Sequence, residues 1–209
     1  MALEKRQAGP SVVTMEERGW LPRHCRGDKA AFPALMQAYR RPVYSYLLRC
    51  GVAAADRDDL FQAVFLKIHA GAGSYDPARP LAPWIFTILA NVVRNHFRAA
   101  AADPADPLPD DLSQALPDPQ PDPERIARAR QDVARLEAAL KTLPLAQREV
   151  LVMVTVLERP QQEVAETLEI PLNTVKTLLR RARLALVKAL AEAPAAATPC
   201  PEGGSHDHL

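Results

Sequence analysis

Aromatic side chains make up only 5% of the 209 residues, and 8 glycines stand against 20 prolines. A β-sandwich or barrel needs aromatic and β-branched strand formers and glycine-rich turns, so this composition argues against either. Cysteine is scarce as well. Cys25, Cys50 and Cys200 are odd in number and far apart, which fits a reducing cytoplasm better than a disulfide framework. Long apolar runs are missing. The stretch from Val150 to Val156 is far too short to span a bilayer, so no membrane insertion is expected. No charged start followed by an apolar run and a small-residue cleavage site marks a secreted chain, and a cytoplasmic location is expected. Walker loops, dinucleotide fingerprints and nucleophile elbows are also lacking. The carboxylates near Asp56 read as helix-capping groups rather than an acid/base pair, so no catalytic residue, metal site or cofactor is expected. What remains is a chain with 48% hydrophobic and 24% charged residues, enough to build a packed core. Ala, Leu and Arg dominate, and they favour helices.

The formal charge of +1 hides a sharp pattern. Residues 20–102 carry 11 basic and 5 acidic groups, and residues 125–192 carry 12 and 8. Between them, residues 103–124 hold 7 acidic groups and no Lys or Arg. Basic blocks are the electrostatic footprint of a nucleic-acid binder, although Arg-rich solvated helix faces give the same count. Pro104, Pro107, Pro109, Pro117, Pro119, Pro121 and Pro123 interrupt the acidic stretch. Proline fixes φ and lacks an amide hydrogen, so neither a helix nor a central strand fits there. The organisation expected is an all-α chain of two small helical domains: an N-terminal extension (1–19), a first domain (20–102), an acidic Pro-rich linker (103–123), a second domain (124–192) and a polar tail (193–209).

In the first domain a helix is expected to start at Gly27-Asp28, with Phe32, Leu35, Met36, Tyr39, Val43, Tyr46 and Leu47 as its apolar stripe. Pro42 should bend or break it. Asp56 should cap a second helix, with Leu60, Val64, Phe65 and Ile68 inward. A third helix should run from near Pro83 to about Arg98. It carries Asn91, Arg94, Asn95 and Arg98 at i, i+3, i+4 and i+7, hence on one face. Asn and Arg together can donate, accept and neutralise charge, as base edges and phosphates require; a solvated outer face explains them equally well.

The second domain should open with a helix from Glu124 to Thr142, striped by Ile126, Ala129, Val133, Leu136 and Leu140. A helix from Gln147 to Leu157 and a short one over 161–168 follow. After the turn at Glu169-Ile170-Pro171, a long helix capped by Asn173 or Thr174 should reach Ala191. Its polar side shows Lys176, Thr177, Arg180, Arg181 and Arg183. A short helix, a tight turn and a second helix with basic groups near its start form the helix-turn-helix arrangement.

The ordered segments then resemble a known family. Asp56-Arg-Asp-Asp-Leu-Phe-Gln-Ala-Val-Phe-Leu-Lys-Ile-His69 is similar to the core-polymerase-binding helix of bacterial sigma factors. Arg79-Pro-Leu-Ala-Pro-Trp-Ile-Phe-Thr-Ile-Leu-Ala-Asn91 is similar to their promoter-melting segment. Leu143-Pro-Leu-Ala-Gln-Arg-Glu-Val-Leu151 and Ile170-Pro-Leu-Asn-Thr-Val-Lys-Thr-Leu-Leu-Arg-Arg-Ala-Arg183 resemble sigma region 4. Their order and separation fit the extracytoplasmic-function (ECF) group of the sigma-70 family, which keeps regions 2 and 4. The resemblance covers residues 20–100 and 124–191. It implies that Asp59, Leu60, Gln62 and Phe65 grip the β′ clamp helices of core RNA polymerase. It implies that Trp84, Asn91, Arg94, Asn95 and Arg98 act at the −10 element, with the loop 74–82 holding a flipped base. Thr174, Lys176, Thr177, Arg180 and Arg181 would read the −35 element, and region 4 would dock on the β flap. An anti-sigma factor partner is implied too, as is control by a stress or an envelope or metal signal.

Four positions depart from the family pattern. Ala63 replaces a Glu, Glu169 stands where a turn glycine is usual, Leu178 replaces a frequent Arg, and Pro160 stands where a Ser cap is common. Two other functions remain open on the residues alone. A helix-turn-helix repressor or activator would need a dimer or effector module in the first domain. A metal-binding stress protein would use Cys200, His206 and His208 with His24-Cys25.

Overall fold

A computed structural model of the chain describes residues 15–102 and 123–192. Among the described residues there are eight α-helices and no strand, as the scarcity of strand formers and glycine requires. The acidic stretch 103–122 and the Cys200, His206 and His208 tail lie outside the described residues.

Helix α1 (Met15–Cys25) was not expected from the sequence. It buries Leu21 completely and packs on α2 (Ala31–Arg49). Gly27, at φ 90°, ends it in a conformation that glycine adopts at little steric cost. The Asp28 carboxylate then accepts from the Ala30 amide at 2.9 Å and from Arg23 at 2.8 Å. Gly27-Asp28 is therefore the joint before α2 rather than its first turn. Helix α2 runs through Pro42, so of the expected bend or break the break does not occur. Tyr39, Val43, Tyr46 and Leu47 are buried on either side of the proline, so packing outweighs the lost hydrogen bond.

Helix α3 (Ala54–Gly71) begins three residues earlier than expected. Ala53 is the N-cap and makes no side-chain cap, and Asp56 sits in the first turn, where its charge suits the helix dipole. A 3-10 turn (Ala72–Ser74) and a loop lead to α4 (Leu81–Ala102). Helix α4 buries Leu81, Ile85, Phe86, Leu89 and Val93 and packs on α3, with Phe86 edge-on to Tyr39 of α2.

The second set comprises α5 (Pro123–Lys141), α6 (Leu145–Thr155), α7 (Gln161–Leu168) and α8 (Leu172–Glu192). Of the stripe expected on α5, only Leu140 is buried, with Ala139; Val133 is 54% exposed. The side chains of Ile126 and Ala129 lie outside the described residues. Helix α8 starts at Leu172, so Asn173 and Thr174 occupy its first turn instead of capping it. The turn before it uses the left-handed conformation after all. Glu169 adopts φ 55° and ψ 41°, and the Ile170 amide closes back on the Ala165 carbonyl at 3.0 Å. A non-glycine residue there costs about 1 kcal/mol, which the buried Leu168 and Val164 beside it offset.

The two sets are not separate bodies. Helix α2 packs on α6 and α4 packs on α7. One apolar cluster runs from Leu21 through Phe86 and Leu151 to Ala182.

Candidate polymerase and nucleic-acid interfaces

On α3, Asp59 and Gln62 are exposed. At 100° per residue, position 66 falls within about 40° of both, and Leu66 is 67% exposed. Phe65 does not belong to this surface. It is 4% exposed and packs against Phe61 at 4.7 Å and Phe32 at 6.4 Å. Six residues after Asp59 its side chain has rotated about 120° off the face. Leu60 is half-buried, on the opposite flank. Leu66 thus shares the exposed face with the polar pair; the sequence reading, which placed Leu60, Val64, Phe65 and Ile68 inward, left it unassigned.

On α4, Trp84 is half-buried and lies against Tyr75, with ring centroids 5.5 Å apart. The Tyr75 hydroxyl donates to the Arg79 carbonyl at 2.6 Å and so pins the loop that leads into the helix. Gly71 leaves room for the indole: a Cβ there would stand 3.3 Å from Trp84 Cζ2. Asn91, Asn95 and Arg98 are exposed, and Arg98 Nη1 donates to Asn95 Oδ1 at 3.3 Å. Arg94 is different. Its Nε donates to both carboxylate oxygens of Glu149 on α6, at 3.1 and 3.0 Å. The expected four-residue face therefore splits, with three members outward and Arg94 turned into the seam between α4 and α6.

On α8, Thr174, Lys176, Thr177, Arg180 and Arg181 are all exposed. The Thr177 hydroxyl donates to the Asn173 carbonyl at 2.9 Å. Lys176, Arg180 and Arg183 line an open groove of about 370 Å³ that begins at Gln161 on α7. No carboxylate lines it. Such a groove attracts an anion and presents the start of a helix to it. Leu178 is half-buried and joins the core cluster, so its apolar character serves packing.

Between α2, α4 and α6 lies a buried polar cluster that sequence reasoning did not assign. Glu149 is 1% exposed and accepts from Arg94 and, at 3.1 Å, from the Tyr46 hydroxyl. Burial pushes its carboxyl above the usual range, and Arg94 only partly opposes this. Tyr46 is fully buried, and desolvation first, then the neighbouring Cys50 and Glu149, push its phenol well up. Cys50 is buried too, and desolvation followed by Glu149 holds its thiol far above the ordinary range, which makes it unreactive. Arg148, 8% exposed, reaches the Cys50 carbonyl at 2.5 Å and the Lys141 and Leu143 carbonyls at 2.8 Å. Nearby, Thr87 on α4 donates to the Pro83 carbonyl at 2.9 Å and, more weakly, to the Thr167 carbonyl on α7 at 3.4 Å. Arg159 stacks over Phe86 at 5.0 Å. The signal in the sequence was two adjacent charges, Arg148-Glu149, inside an apolar helix; a buried pair of that kind must find partners somewhere.

Among the described residues no group of three or more His, Cys, Asp or Glu gathers around a point. His24 and His69 do pair, Nε2 to Nδ1, at 2.9 Å. No helix among the described residues is long and apolar enough to cross a membrane.

An all-α chain whose second half presents a helix-turn-helix, and whose first half presents an exposed polar helix beside an Asn/Arg-bearing one, is a two-part DNA-reading factor. Comparison with known proteins makes this specific. Residues 35–102 match the family described as Sigma-70 region 2, and residues 134–186 match Sigma-70, region 4. The ECF RNA polymerase sigma factor RpoE of Cereibacter sphaeroides is 32% identical over 156 residues, 74% of this chain and 83% of the relative. The ECF sigma factor SigM of Mycobacterium tuberculosis is 29% identical over 170 residues, 81% of this chain and 82% of the relative. Among solved structures, CnrH in complex with the cytosolic domain of CnrY matches with a TM-score of 0.66 at 23% identity, covering 86% of this chain and 99% of that one. RpoE from Bartonella quintana, solved with the anti-sigma factor NepR, matches with a TM-score of 0.64 at 19% identity, covering 78% and 98%. At those identities the structural likeness speaks for the fold. The chain belongs to the ECF group of the sigma-70 family. It is a transcription initiation factor that directs core RNA polymerase to promoters, and not an enzyme.

Proposed function

We propose that this sigma factor divides its work among three surfaces, with residues 20–102 and 124–192 as its two working domains. Asp59, Gln62 and Leu66, flanked by Leu60, dock on the β′ clamp helices. The carboxylate and amide give direction, and the exposed Leu contributes apolar burial of about 2 kcal/mol. Trp84, Asn91, Asn95 and Arg98, joined by Arg94, act on the −10 element. Unpairing a base there costs a few kcal/mol, and stacking on a half-buried indole is the means of offsetting it. Thr174, Lys176, Thr177, Arg180 and Arg181 enter the −35 major groove.

The observation that carries this reading is the α8 face: five exposed polar or basic side chains at the start of a helix-turn-helix second helix, beside a groove free of carboxylates. The exposed Leu184 and Val187 of α8 and Val133 of α5 give region 4 apolar surface for the β flap. Two solved neighbours are titled as complexes with protein partners, CnrY and the anti-sigma factor NepR. By that analogy an anti-sigma factor partner in the cytoplasm is part of the proposal, and it would relay a stress, envelope or metal signal. The deciding experiment is in vitro transcription with core polymerase, followed by start-site mapping. Defined start sites that depend on the chain are expected. Core enzyme that initiates identically with and without it would overturn the reading.

A further inference from the structure

His24, next to last in α1, and His69, in the last turn of α3, meet with Nε2 and Nδ1 2.9 Å apart. The ring centroids are 4.9 Å apart, so the rings point at each other edge-first instead of stacking. As a hydrogen bond the contact gains little, because both rings reach water, which offers bonds of the same kind. The pair is nevertheless held from behind. Phe32 of α2 lies 4.9 Å from the His24 ring and 5.5 Å from the His69 ring, and it stands edge-on to Phe65 of the core. The His24 carbonyl accepts from the Gly27 amide at 2.9 Å, which fixes the main chain behind that ring.

Two imidazole nitrogens directed into one gap are the donor set of a divalent ion. Imidazole binds such ions at about 2.0–2.1 Å. At that length two ligands stand about 2.9 Å apart at the right angle of a square-planar or octahedral ion, and about 3.3 Å apart at the tetrahedral angle. The observed separation is the first of these. No third His, Cys, Asp or Glu gathers there among the described residues. The Asp28 carboxylate is already engaged by Arg23 and the Ala30 amide. Nitrogen donors without a carboxylate do not suit Ca²⁺ or Mg²⁺, which take oxygen ligands; they suit the late first-row ions.

We propose that His24 and His69 bind a late first-row divalent ion, Cu²⁺ or Ni²⁺ in preference to Zn²⁺, with water completing its coordination, and that the ion staples the end of α1 to the end of α3. Leu21 is the one buried side chain among the described residues of α1, so this helix stands at the low-stability end of the fold and gains most from a second tie. His69 also follows Gln62 by seven residues, about 20° away around the helix, and follows Leu66 by three. The ion therefore sits at the end of the α3 face assigned to the β′ clamp helices, where its charge and bound water oppose the burial of Leu66. That consequence rests on the functional reading of α3; ion binding does not.

The test uses the full chain with Cys25→Ser, Cys200→Ser, His206→Ala and His208→Ala, which removes the neighbouring thiol and the tail as ligands. Calorimetric titration with Ni²⁺ should show one ion per chain. His24→Ala and His69→Ala, each added alone, should weaken binding about tenfold or more, because a single remaining nitrogen loses the effective concentration of the pair. With free Ni²⁺ at about 100 times its dissociation constant, the unfolding equilibrium should fall about 100-fold, read as a higher melting temperature that neither variant shows. Absence of saturable binding in this background, or binding unchanged by both substitutions, would overturn the site. A measurement without either substitution guards against a variant that fails to fold: Cu²⁺ on the background chain should show nitrogen hyperfine splitting in electron paramagnetic resonance, and oxygen-only ligation would overturn the site as well. Association with core polymerase, with and without Ni²⁺, then tests the consequence. It should weaken about threefold or more in the background chain and stay constant in His24→Ala. Association insensitive to the ion would overturn the effect on docking while calorimetry still decides the site, and a chain that never associates with core would count against the reading of α3.

Discussion

Replacement of Arg148 should be the most damaging single change in the second half of the chain outside its apolar core. The guanidinium makes three short hydrogen bonds to main-chain carbonyls, those of Lys141, Leu143 and Cys50. Two of these carbonyls terminate α5 and its turn, where no helical amide remains to serve them. A hydrogen bond from a charged donor contributes about 1.5–3 kcal/mol, so three give about 4.5–9 kcal/mol. Against this stands the cost of burying the cation, several kcal/mol, which also shows as a guanidinium pulled below its ordinary pKa by desolvation. The net loss for Arg148→Ala should be about 3–4 kcal/mol. For a unit of this size that is a fall in melting temperature of about 6–16 °C. The assay is thermal unfolding of the full chain followed by circular dichroism, with Arg148→Lys beside it. Lysine keeps the charge but cannot fork to three carbonyls, so it should restore less than half of the loss. A change below about 1 kcal/mol for Arg148→Ala would refute the reasoning, because it would mean that water serves those carbonyls as well as the guanidinium does.

Three further outcomes are expected. Lys176→Ala with Arg180→Ala should weaken promoter binding and lower the log–log salt slope by about 2, since each phosphate contact contributes about 0.9; an unchanged slope in filter binding would remove these side chains from the DNA. Asp59→Ala with Gln62→Ala and Leu66→Ser should reduce association with core polymerase by about tenfold or more while circular dichroism stays the same, because all three side chains point to solvent; unaltered co-elution would clear this face. Glu149 should make the folded chain gain stability as pH falls. Burial raises its carboxyl in the folded chain, so the folded form takes up the proton before the unfolded one. The gain should begin as pH drops through that raised value, be complete below the ordinary value of 4.5, and vanish in Glu149→Gln; unfolding curves whose pH dependence is the same in wild type and Glu149→Gln would contradict it.

Most of the helical architecture is legible in the sequence for a simple reason. Helix interiors are set by apolar spacing, and the stripes at Leu35-Tyr39-Val43-Tyr46 and Val64-Phe65-Ile68 are buried as their periods demand. Three features escape because each depends on the rest of the fold. Helix α1 carries only a weak stripe, and Leu21 is buried because α2 is there to receive it. Pro42 stays inside a helix because packing on both sides outweighs one missing hydrogen bond. Val133 is exposed although a helix wheel assigns it to the core, because α5 packs on α8 and buries Ala139 and Leu140 at its far end instead.

The surfaces divide along the same line. The α8 face is legible because its residues need only a helix and solvent, and both are local properties. The α3 face is half legible. Polar Asp59 and Gln62 advertise exposure, whereas Phe65 and Leu66 look alike in composition and are separated only by the angle at which the core meets the helix. The α4 face shows the limit. Spacing places Arg94 with Asn91, Asn95 and Arg98, and the helix does put them on one side. Spacing says nothing about a helix 55 residues away that arrives with a buried carboxylate. The presence of Glu149 and Arg148 inside an otherwise apolar helix was the available sign. Two charges that cannot reach water from there require partners, and Tyr46, Arg94 and the Cys50 carbonyl across the seam are the groups that meet that requirement.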